Sequence, residues 1–484
     1  MRGSFLFFER VAQHDARMTS LEQERVEQQR WTARQKRPVP FLDALVEGEF
    51  QPPDQIRDKQ AAALGRMLHF ASEYVPYYRD LFQKIWIDAE DANPFRVLKS
   101  MPILSKLELQ DKHASLRAER LPKGERETIE AGTSGTTGIP ARVRHSMQSA
   151  RMFSLLKQRE YRWFRFDPAG TLALIRFPGS LPKRDDGTEL PLGETMRLDG
   201  WPRVEADFVT GPALAFNIMN PPEERIAWLR ANRPDHLLSV SEDLEHLAFT
   251  AGEERVAPTL KSVEAISDQM TPTMREHIER SFGCPIHQNY GLNEIGLVAT
   301  RCDAGRYHVH SEHRVVEIIG PDGRSVAPGE TGRLIVTGLN NWVMPLLRYD
   351  ADDLGTAVEG PCPCGRTLPS FGDVVGRYSR VAFLPEGTII ILEALRAAIR
   401  KQPRGMIRGL RQYQTHQRLD GSWEVRLVLR EEMPERLADY LGETWSRILG
   451  APCPPFTLKS VDAIERPPGG KFQDFTSEFM PPRR

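Results

Sequence analysis

Cysteine is scarce in this chain, with five among 484 residues. So few cysteines cannot form the dense disulfide framework of a small secreted domain, and a reducing cytoplasm is the expected compartment. Long hydrophobic runs are missing too. No window holds eighteen uncharged apolar residues, and the apolar run at residues 5–8 is too short for a signal peptide, so we expect no membrane partner. An excess of one charge is also lacking: the formal net charge is −1, which argues against a nucleic-acid partner.

The remaining composition is typical of a globular enzyme, with 27% charged and 40% hydrophobic residues. A length of 484 residues predicts two or three structural units. Strand and helix patterns alternate from about residue 125. For example, strands are predicted at 236–240 and 263–267, and Thr271-Pro272 begins a helix that runs to Phe282-Gly283. This rhythm predicts an α/β fold with substantial parallel pairing, followed by hairpins after 310 and a small α+β unit in the last hundred residues.

One loop is rich in glycine and hydroxyl groups. Residues 132–140 read Gly-Thr-Ser-Gly-Thr-Thr-Gly-Ile-Pro, between β-like runs at 127–130 and 142–144. Free backbone amides and hydroxyl donors suit a triphosphate. The loop is not a Walker loop, because no Gly-Lys-Ser/Thr follows, so a P-loop ATPase is not expected. Taken alone, the segment is an ordinary turn about as often as a phosphate loop. Its candidate phosphate-binding residues are Thr133, Ser134, Gly135, Thr136, Thr137 and Gly138.

Four further segments matter because of their order along the chain. They are Asn289-Tyr290-Gly291-Leu292-Asn293-Glu294, Leu347-Arg348-Tyr349-Asp350-Ala351-Asp352-Asp353-Leu354, Gly376-Arg377 and Pro467-Pro468-Gly469-Gly470-Lys471. With the Gly/Thr loop, this order resembles the adenylate-forming ligase superfamily, and within it the phenylacetate–CoA ligase family. The resemblance covers most of the chain from about residue 60.

The resemblance implies an α/β architecture in two main parts. A large N-terminal ATP- and acyl-binding domain, with parallel and mixed sheets and a β-rich subdomain, would cover residues 61–376. A small, mobile α+β C-terminal lid domain would cover 377–484, and residues 1–60 would form an N-terminal helical extension. The active site would lie at the junction of the two domains.

The resemblance also implies a reaction and its cofactors. A carboxylate would attack the α-phosphate of ATP, giving an acyl-adenylate and pyrophosphate, and the thiol of coenzyme A would then take the acyl group. The predicted partners are a small carboxylic acid, aromatic only by resemblance, and a second copy in a homodimer. Two alternatives stay open: transfer to an amine or carrier-protein thiol, and a catalytically inactive nucleotide-binding homologue.

Each matched residue has a chemical reason for its implied role. Tyr290, next to Gly291, offers a flat face on which adenine can stack. Glu294 is a hard oxygen ligand for Mg²⁺. Asp353 is the ribose-binding carboxylate by position, although the residues alone do not choose among it, Asp350 and Asp352.

The three basic residues of the motifs have different implied roles. Arg348 belongs to the nucleotide-binding segment and is expected to brace its loop. Arg377 matches the arginine at the domain boundary, which can reach ribose or phosphate. Lys471 is the predicted catalytic lysine, which would neutralise charge that develops on the α-phosphate and the attacking carboxylate.

The chain departs from the family pattern at two places. The boundary motif normally continues from Gly-Arg into two aspartates, but here Tyr378-Ser379-Arg380 follow Gly376-Arg377. This puts the domain rotation, and therefore the thiol-transfer step, in question. The second departure is Ser267-Asp268-Gln269, where relatives often have a Gly-Ala-Glu-like run near the acyl site. Gln269 in place of a glutamate predicts a changed substrate choice.

Four residues predict a structural zinc site. Cys362 and Cys364 form a tight pair of thiols, and Cys302 with His308 lies about sixty residues earlier. Three sulfurs and one imidazole suit tetrahedral Zn²⁺, and such a closed site leaves no open position for catalysis. His310 or His313 could replace His308, and unrelated reduced thiols are the alternative. Some members of the family carry a similar set, which implies a structural metal.

Overall fold

The structure is a computed structural model, and it describes residues 26–85, 93–132, 142–266, 270–377, 382–383, 389–390, 398–399, 410–449, 452–464 and 475–478. The predictions for 133–141, Gln269, Tyr378-Ser379-Arg380 and Lys471 therefore lie outside the described residues.

Residues 26–32 are helical, and the helices with both ends in the described part lie mainly in the first two thirds of the chain. In chain order they are α1 (Pro40–Gly48), α2 (Pro53–Tyr74), α3 (Pro76–Ile85), α4 (Pro94–Ser100), α5 (Lys106–Asp111), α6 (Met147–Trp163), α7 (Pro222–Asn232), α8 (Ser241–Ala251), α9 (Pro272–Phe282) and α10 (Leu437–Leu449). None of the helices in these ranges is long and apolar enough to cross a membrane. The predicted boundary at residue 60 falls inside α2.

Strands follow the helices in alternation and then in hairpins. In chain order they are β1 (Glu127–Gly132), β2 (Arg142–Ser146), β3 (Leu172–Arg176), β4 (Thr195–Leu198), β5 (Ala213–Asn217), β6 (His236–Val240), β7 (Ser262–Ile266), β8 (Ile286–Leu292), β9 (Gly296–Arg301), β10 (Tyr307–Val309), β11 (Arg314–Ile319), β12 (Thr331–Gly338), β13 (Tyr349–Thr356), β14 (Ser370–Phe371), β15 (Val374–Arg377), β16 (Ala382–Phe383), β17 (Ile389–Ile390), β18 (Leu410–Gln417), β19 (Trp423–Leu429), β20 (Phe456–Ser460) and β21 (Phe475–Ser477).

A nine-stranded mixed sheet forms the centre of the molecule, in the order β14-β10-β9-β8-β7-β6-β3-β5-β4. Its five middle strands, β8, β7, β6, β3 and β5, are parallel, and antiparallel strands extend both edges. This confirms the predicted α/β fold with substantial parallel pairing. Because ligands of open α/β sheets bind beyond the carboxyl ends of the parallel strands, the end of β8 is where a site is expected.

A second, four-stranded antiparallel sheet, β11-β12-β13-β15, lies beside the first. Helices α2 and α3 share a core with it, in which Leu68 and Tyr78 of the helices join Val336 and Tyr349 of the sheet. Tyr78 fixes this contact, because its hydroxyl donates to the Pro345 carbonyl at 3.2 Å. The packing places β13, with its aspartates, next to the carboxyl end of β8.

The last part of the chain has its own sheet, β20-β19-β18-β21, and its own core. Trp423 and Trp445 are fully buried in that core and meet edge to face at 5.4 Å. Helix α10 supplies Leu437 and Leu441, as its apolar face predicts. Arg430 connects this unit to the larger part, donating to the Thr250 carbonyl at 3.3 Å.

The residues before α1 pack on the large part of the molecule. Trp31 is fully buried and lies 6.1 Å from the Tyr161 ring, 5.9 Å from Trp201 and 5.2 Å from Phe208. A main-chain bond from Lys36 to the Asp207 carbonyl, at 2.7 Å, fastens the same segment. Trp201 is a fully buried core residue of this aromatic cluster.

Candidate active site

Tyr290 and Asp353 meet at the carboxyl end of β8. Tyr290 is on β8 and Asp353 is on β13, and the Tyr290 hydroxyl donates to Asp353 Oδ2 at 2.8 Å. The contact joins two motifs that are 63 residues apart in sequence. Next along β8, a Cβ at Gly291 would lie 3.1 Å from the Gly296 carbonyl oxygen, so a glycine there allows the close approach of β9.

Glu294 lies in the turn between β8 and β9 and is 8% exposed. Its Oε1 accepts a hydrogen bond from the Tyr349 hydroxyl at 2.9 Å. Burial, and then the Glu294 charge, raises the pKa of Tyr349, so this phenol stays protonated and remains a donor. One oxygen of the Glu294 carboxylate is thus held by Tyr349, which is on the same strand as Asp353.

The three aspartates on β13 have different surroundings. The Asp350 carboxylate binds Arg333 at 2.6 Å and accepts from the Asp352 amide at 2.9 Å. Asp352 has φ of 60°, a left-handed conformation uncommon outside glycine. Asp353 contacts Tyr290 and faces Arg377 in the register of β13 and β15. The structure therefore brings the predicted ribose and boundary residues to adjacent strand positions.

Arg348 is 6% exposed and is held by a set of contacts within the protein. Its guanidinium pairs with Glu317 at 3.1 and 3.2 Å and donates to the carbonyls of Lys99 at 3.1 Å and Met101 at 2.5 Å. Its φ of 49° is also left-handed. These contacts tie the start of β13 to α4 and β11.

The flanks of the Gly/Thr loop form a hairpin. Gly132 at the end of β1 is paired with Arg142 at the start of β2. Ser146 then anchors β2, with its amide donating to Asn341 Oδ1 at 3.0 Å and its hydroxyl to the Asn340 carbonyl at 3.1 Å. The two predicted strands are therefore present on either side of residues 133–141, which lie outside the described residues.

Cys302, His308, Cys362 and Cys364 come together at one point. Their four ligand atoms all lie within 4.8 Å of one another. The Sγ atoms of Cys302 and Cys362 are 3.6 Å apart, and Cys364 Sγ is 3.3 Å from His308 Nε2. Two ligands of tetrahedral zinc, with Zn–S near 2.3 Å, lie about 3.8 Å apart, so the spacing fits.

Of the three histidines considered as metal ligands, the structure places His308 next to the cysteines. His308 Nδ1 donates to the Leu368 carbonyl at 3.1 Å, which leaves Nε2 free to bind a metal. His310 contacts Thr300 at 3.0 Å, and His313 contacts Asn340 at 3.0 Å, and neither is in the four-residue cluster. We call these four residues the thiol–imidazole cluster. No other group of this kind is found among the described residues.

Sequence reasoning missed a buried charge network next to Tyr290. Lys157 on α6 contacts both Glu160, at 3.2 Å, and Glu264 on β7. Asn289, the residue before Tyr290, donates to Glu264 at 2.9 Å. Burial raises the pKa of Glu160 to about 7, partly offset by Lys157. The sequence offered one signal for this network: Lys157 and Glu160 are three residues apart on a helix that otherwise packs in the core.

No family model matches the chain. Curated relatives do: phenylacetate-coenzyme A ligase of Thermus thermophilus is 27% identical over 337 residues, covering 68% of this chain and 72% of the relative. The enzyme of that name from Escherichia coli is 25% identical over 336 residues, covering 67% and 71%.

Solved structures are similar in fold. A 2-hydroxyisobutyryl-CoA ligase in the postadenylation state superposes with a TM-score of 0.70 at 18% identity, covering 89% of this chain and 91% of that one. An anthranilate CoA ligase with bound anthranoyl-AMP superposes with a TM-score of 0.53 at 12% identity, covering 72% and 65%. The chain is thus a homologue of the phenylacetate–CoA ligases and has the fold of the adenylate-forming CoA ligases, as its motifs indicate.

Proposed function

We propose that this protein is an AMP-forming acid–thiol ligase. A carboxylate attacks the α-phosphorus of ATP, an acyl-adenylate and pyrophosphate form, and the sulfur of coenzyme A then displaces AMP to give a thioester. The observation that carries the proposal is the contact of Tyr290 with Asp353 at the carboxyl end of β8, with the buried Glu294 in the turn that follows. Relatives named phenylacetate-coenzyme A ligase support it independently.

In this proposal each group at the site has one task. Asp353 accepts from the ribose hydroxyls, Tyr290 packs on adenine, and Glu294 binds the Mg²⁺ that bridges the phosphates. The amides and hydroxyls of residues 133–138 hold the β- and γ-phosphates and later pyrophosphate. Lys471 stabilises charge that builds up on the α-phosphate in the transition state, and Arg377 contacts ribose or phosphate.

The substrate in this proposal is a small carboxylic acid. An aromatic acid is the first candidate, since curated relatives are named for phenylacetate and a neighbour in fold binds anthranoyl-AMP. A panel of aromatic and aliphatic acids, assayed for pyrophosphate release with ATP and Mg²⁺, tests the class. At least one acid should release pyrophosphate. Failure of the whole panel would favour the inactive, nucleotide-binding alternative.

A second acceptor is supported by the residues after Arg377. Tyr378-Ser379-Arg380 replace the aspartate pair usual at this domain boundary, so the rotation that admits coenzyme A has a different hinge. An amine or a carrier-protein thiol would then take the acyl group. Product analysis with coenzyme A present or omitted separates the two, because only the first reaction needs coenzyme A to yield a new acyl product.

We also infer that the thiol–imidazole cluster holds a structural Zn²⁺. The donor set of three sulfurs and one imidazole, its spacing, and the orientation of His308 by Leu368 all fit a closed tetrahedral site. Four protein ligands leave no position for substrate. The metal would therefore stabilise the junction of β9, β10 and the 362–364 turn without taking part in the reaction.

A further inference from the structure

A cavity of about 310 Å³ lies against the thiol–imidazole cluster, between the end of α6, the end of β9 and the turn at 363–366. Four arginines line it: Arg162, Arg165, Arg301 and Arg366. Two acids, Glu27 and Asp303, line it as well. The cavity wall therefore contains more guanidinium groups than carboxylates, and its formal charge is positive.

Two of the four arginines are already neutralised. Arg366 donates to Glu49 at 2.9 Å and lies 4.0 Å from the centre of the Trp163 ring. Arg165 pairs with Asp303 at 3.1 Å, at the exposed rim. These two arginines shape the cavity, and Arg162 and Arg301 are the two that form no ion pair among the described residues.

Arg162 is the unusual member of the set. Its residue is 5% exposed, and none of its three guanidinium nitrogens has a hydrogen-bond partner among the described residues. Burial lowers its pKa, while the charges of Asp43 and Glu49 act in the opposite direction. A buried guanidinium without an acceptor is strongly unfavourable, so such groups are normally paired. Arg162 is therefore a donor without its acceptor, in the wall of a cavity large enough to hold one.

Arg301 and Glu27 complete the wall. The described residues offer Arg301 no ion pair, and it sits at the last position of β9. Glu27 pairs with Arg30 through one oxygen at 3.0 Å, and its Oε2 has no partner in the described part of the chain. Burial raises the pKa of Glu27, so its negative charge in the cavity wall is less favoured than that of an exposed carboxylate.

We propose that this cavity is a binding site for a phosphate-class oxyanion, either inorganic phosphate or the phosphate group of a small phosphomonoester. Arg162 and Arg301 would supply the paired N–H donors that match phosphate oxygens. The site is separate from the proposed ATP site. Glu294 lies just before β9 and Arg301 is the last residue of β9. The six residues from Gly296 to Arg301 span about 17 Å.

Calorimetric titration of the zinc-replete full chain with inorganic phosphate, at constant ionic strength, tests the site. Binding should be saturable in the wild type and at least tenfold weaker in Arg301→Gln and Arg162→Met. Arg280→Gln is the matched control, because Arg280 is 67% exposed on α9 and does not line the cavity. Thr136→Ala should keep the binding, which excludes phosphate held by the proposed ATP loop. A parallel titration with glycerol phosphate distinguishes a phosphomonoester site from a site for free phosphate.

A second measurement separates a binding role from a structural one. If Arg162 is kept for an anion, Arg162→Met should melt at a higher temperature than the wild type in phosphate-free buffer and gain nothing from phosphate. Saturable binding that persists unchanged in both cavity variants would overturn the proposal, as would a wild type that does not bind phosphate. Neither outcome depends on ligase activity, so failure here leaves the proposed function untouched.

Discussion

The hydroxyl of Tyr290 donates to the carboxylate of Asp353, 63 residues away in sequence, and this contact distinguishes Asp353 from Asp350 on the same strand. Asp350 is engaged by Arg333, whereas Asp353 lies beside the residue expected to pack on adenine. The sequence alone leaves the three equivalent, because their spacing says nothing about which neighbour β13 meets.

Asp353→Asn should weaken ATP binding and leave the fold intact. The amide oxygen can still accept from Tyr290, but it lacks the charge that strengthens bonds to the ribose hydroxyls. A hydrogen bond to a charged group contributes about 1.5–3 kcal/mol, so KM for ATP should rise roughly 10- to 100-fold. Initial rates at varied ATP measure this. Asp350→Asn is the control, and an equal effect in both variants would refute the ribose assignment.

Lys471→Ala should nearly abolish adenylate formation. Loss of one charge contact made chiefly in the transition state should cost about 3–4 kcal/mol, or roughly 10²–10³-fold in kcat, with little change in ATP affinity. Carboxylate-dependent exchange of pyrophosphate into ATP measures the step. Lys459→Ala, a lysine of the same C-terminal unit that pairs with Glu424, is the control. Exchange at the wild-type rate in the Lys471 variant would remove that residue from the site.

Among the secondary-structure elements, the sequence predicts a helix end correctly where contacts between residues close in sequence determine that end. Thr271 caps α9, its side chain accepting from the Met274 amide at 3.2 Å, and Gly283 ends the helix with φ of 68°. Both ends were predicted from the sequence. The short strands β4 and β14 were not, since each exists only by pairing at an edge of the large sheet.

The thiol–imidazole cluster belongs to this scale because it connects three elements. Purified protein should contain about one zinc ion per chain, and Cys364→Ser should lower the zinc content and the unfolding temperature, because metal binding contributes to folding stability. Metal analysis and thermal unfolding measure both. Cys284→Ser, at a half-buried thiol outside the cluster, should keep the metal. Absence of zinc from the wild type would disprove the assignment.

Across the whole molecule, buried histidines link stability to pH. Burial lowers the pKa of His236 to about 4, and its Nε2 accepts from the Asp167 amide at 3.0 Å, so the folded state holds the ring neutral. The unfolded chain binds this proton near pH 6.5. Stability is therefore full above pH 6.5 and falls as the pH decreases toward 4.

His236→Asn should flatten this dependence. Between pH 7 and pH 5, the wild type should lose about 2 kcal/mol more unfolding free energy than the variant, measured by denaturant titration. Comparing the two is necessary because Glu160, whose pKa burial raises to about 7, acts in the opposite direction in the same window. Parallel pH curves for the two proteins would show that His236 does not titrate on unfolding.

At the scale of the whole molecule, the sequence does not predict which charged residues far apart in the chain come into contact. Glu264 and Lys157 are 107 residues apart and share a fully enclosed contact, and Arg162 faces a cavity closed by residues near 301 and 366. Motif order assigned roles because each motif is continuous along the chain. Networks of this kind depend on how helices and sheets pack, and no short segment contains that information.

The burial of Trp31 limits how far the N-terminus of the protein can be truncated. A product beginning at residue 40 would lack the indole that fills the space between Tyr161, Trp201 and Phe208. The vacated space would leave aromatic surface open to solvent, and such material should stain with hydrophobic dyes and precipitate on concentration. A start codon placed at or before residue 26 keeps that indole, and with it a preparation fit for enzymology.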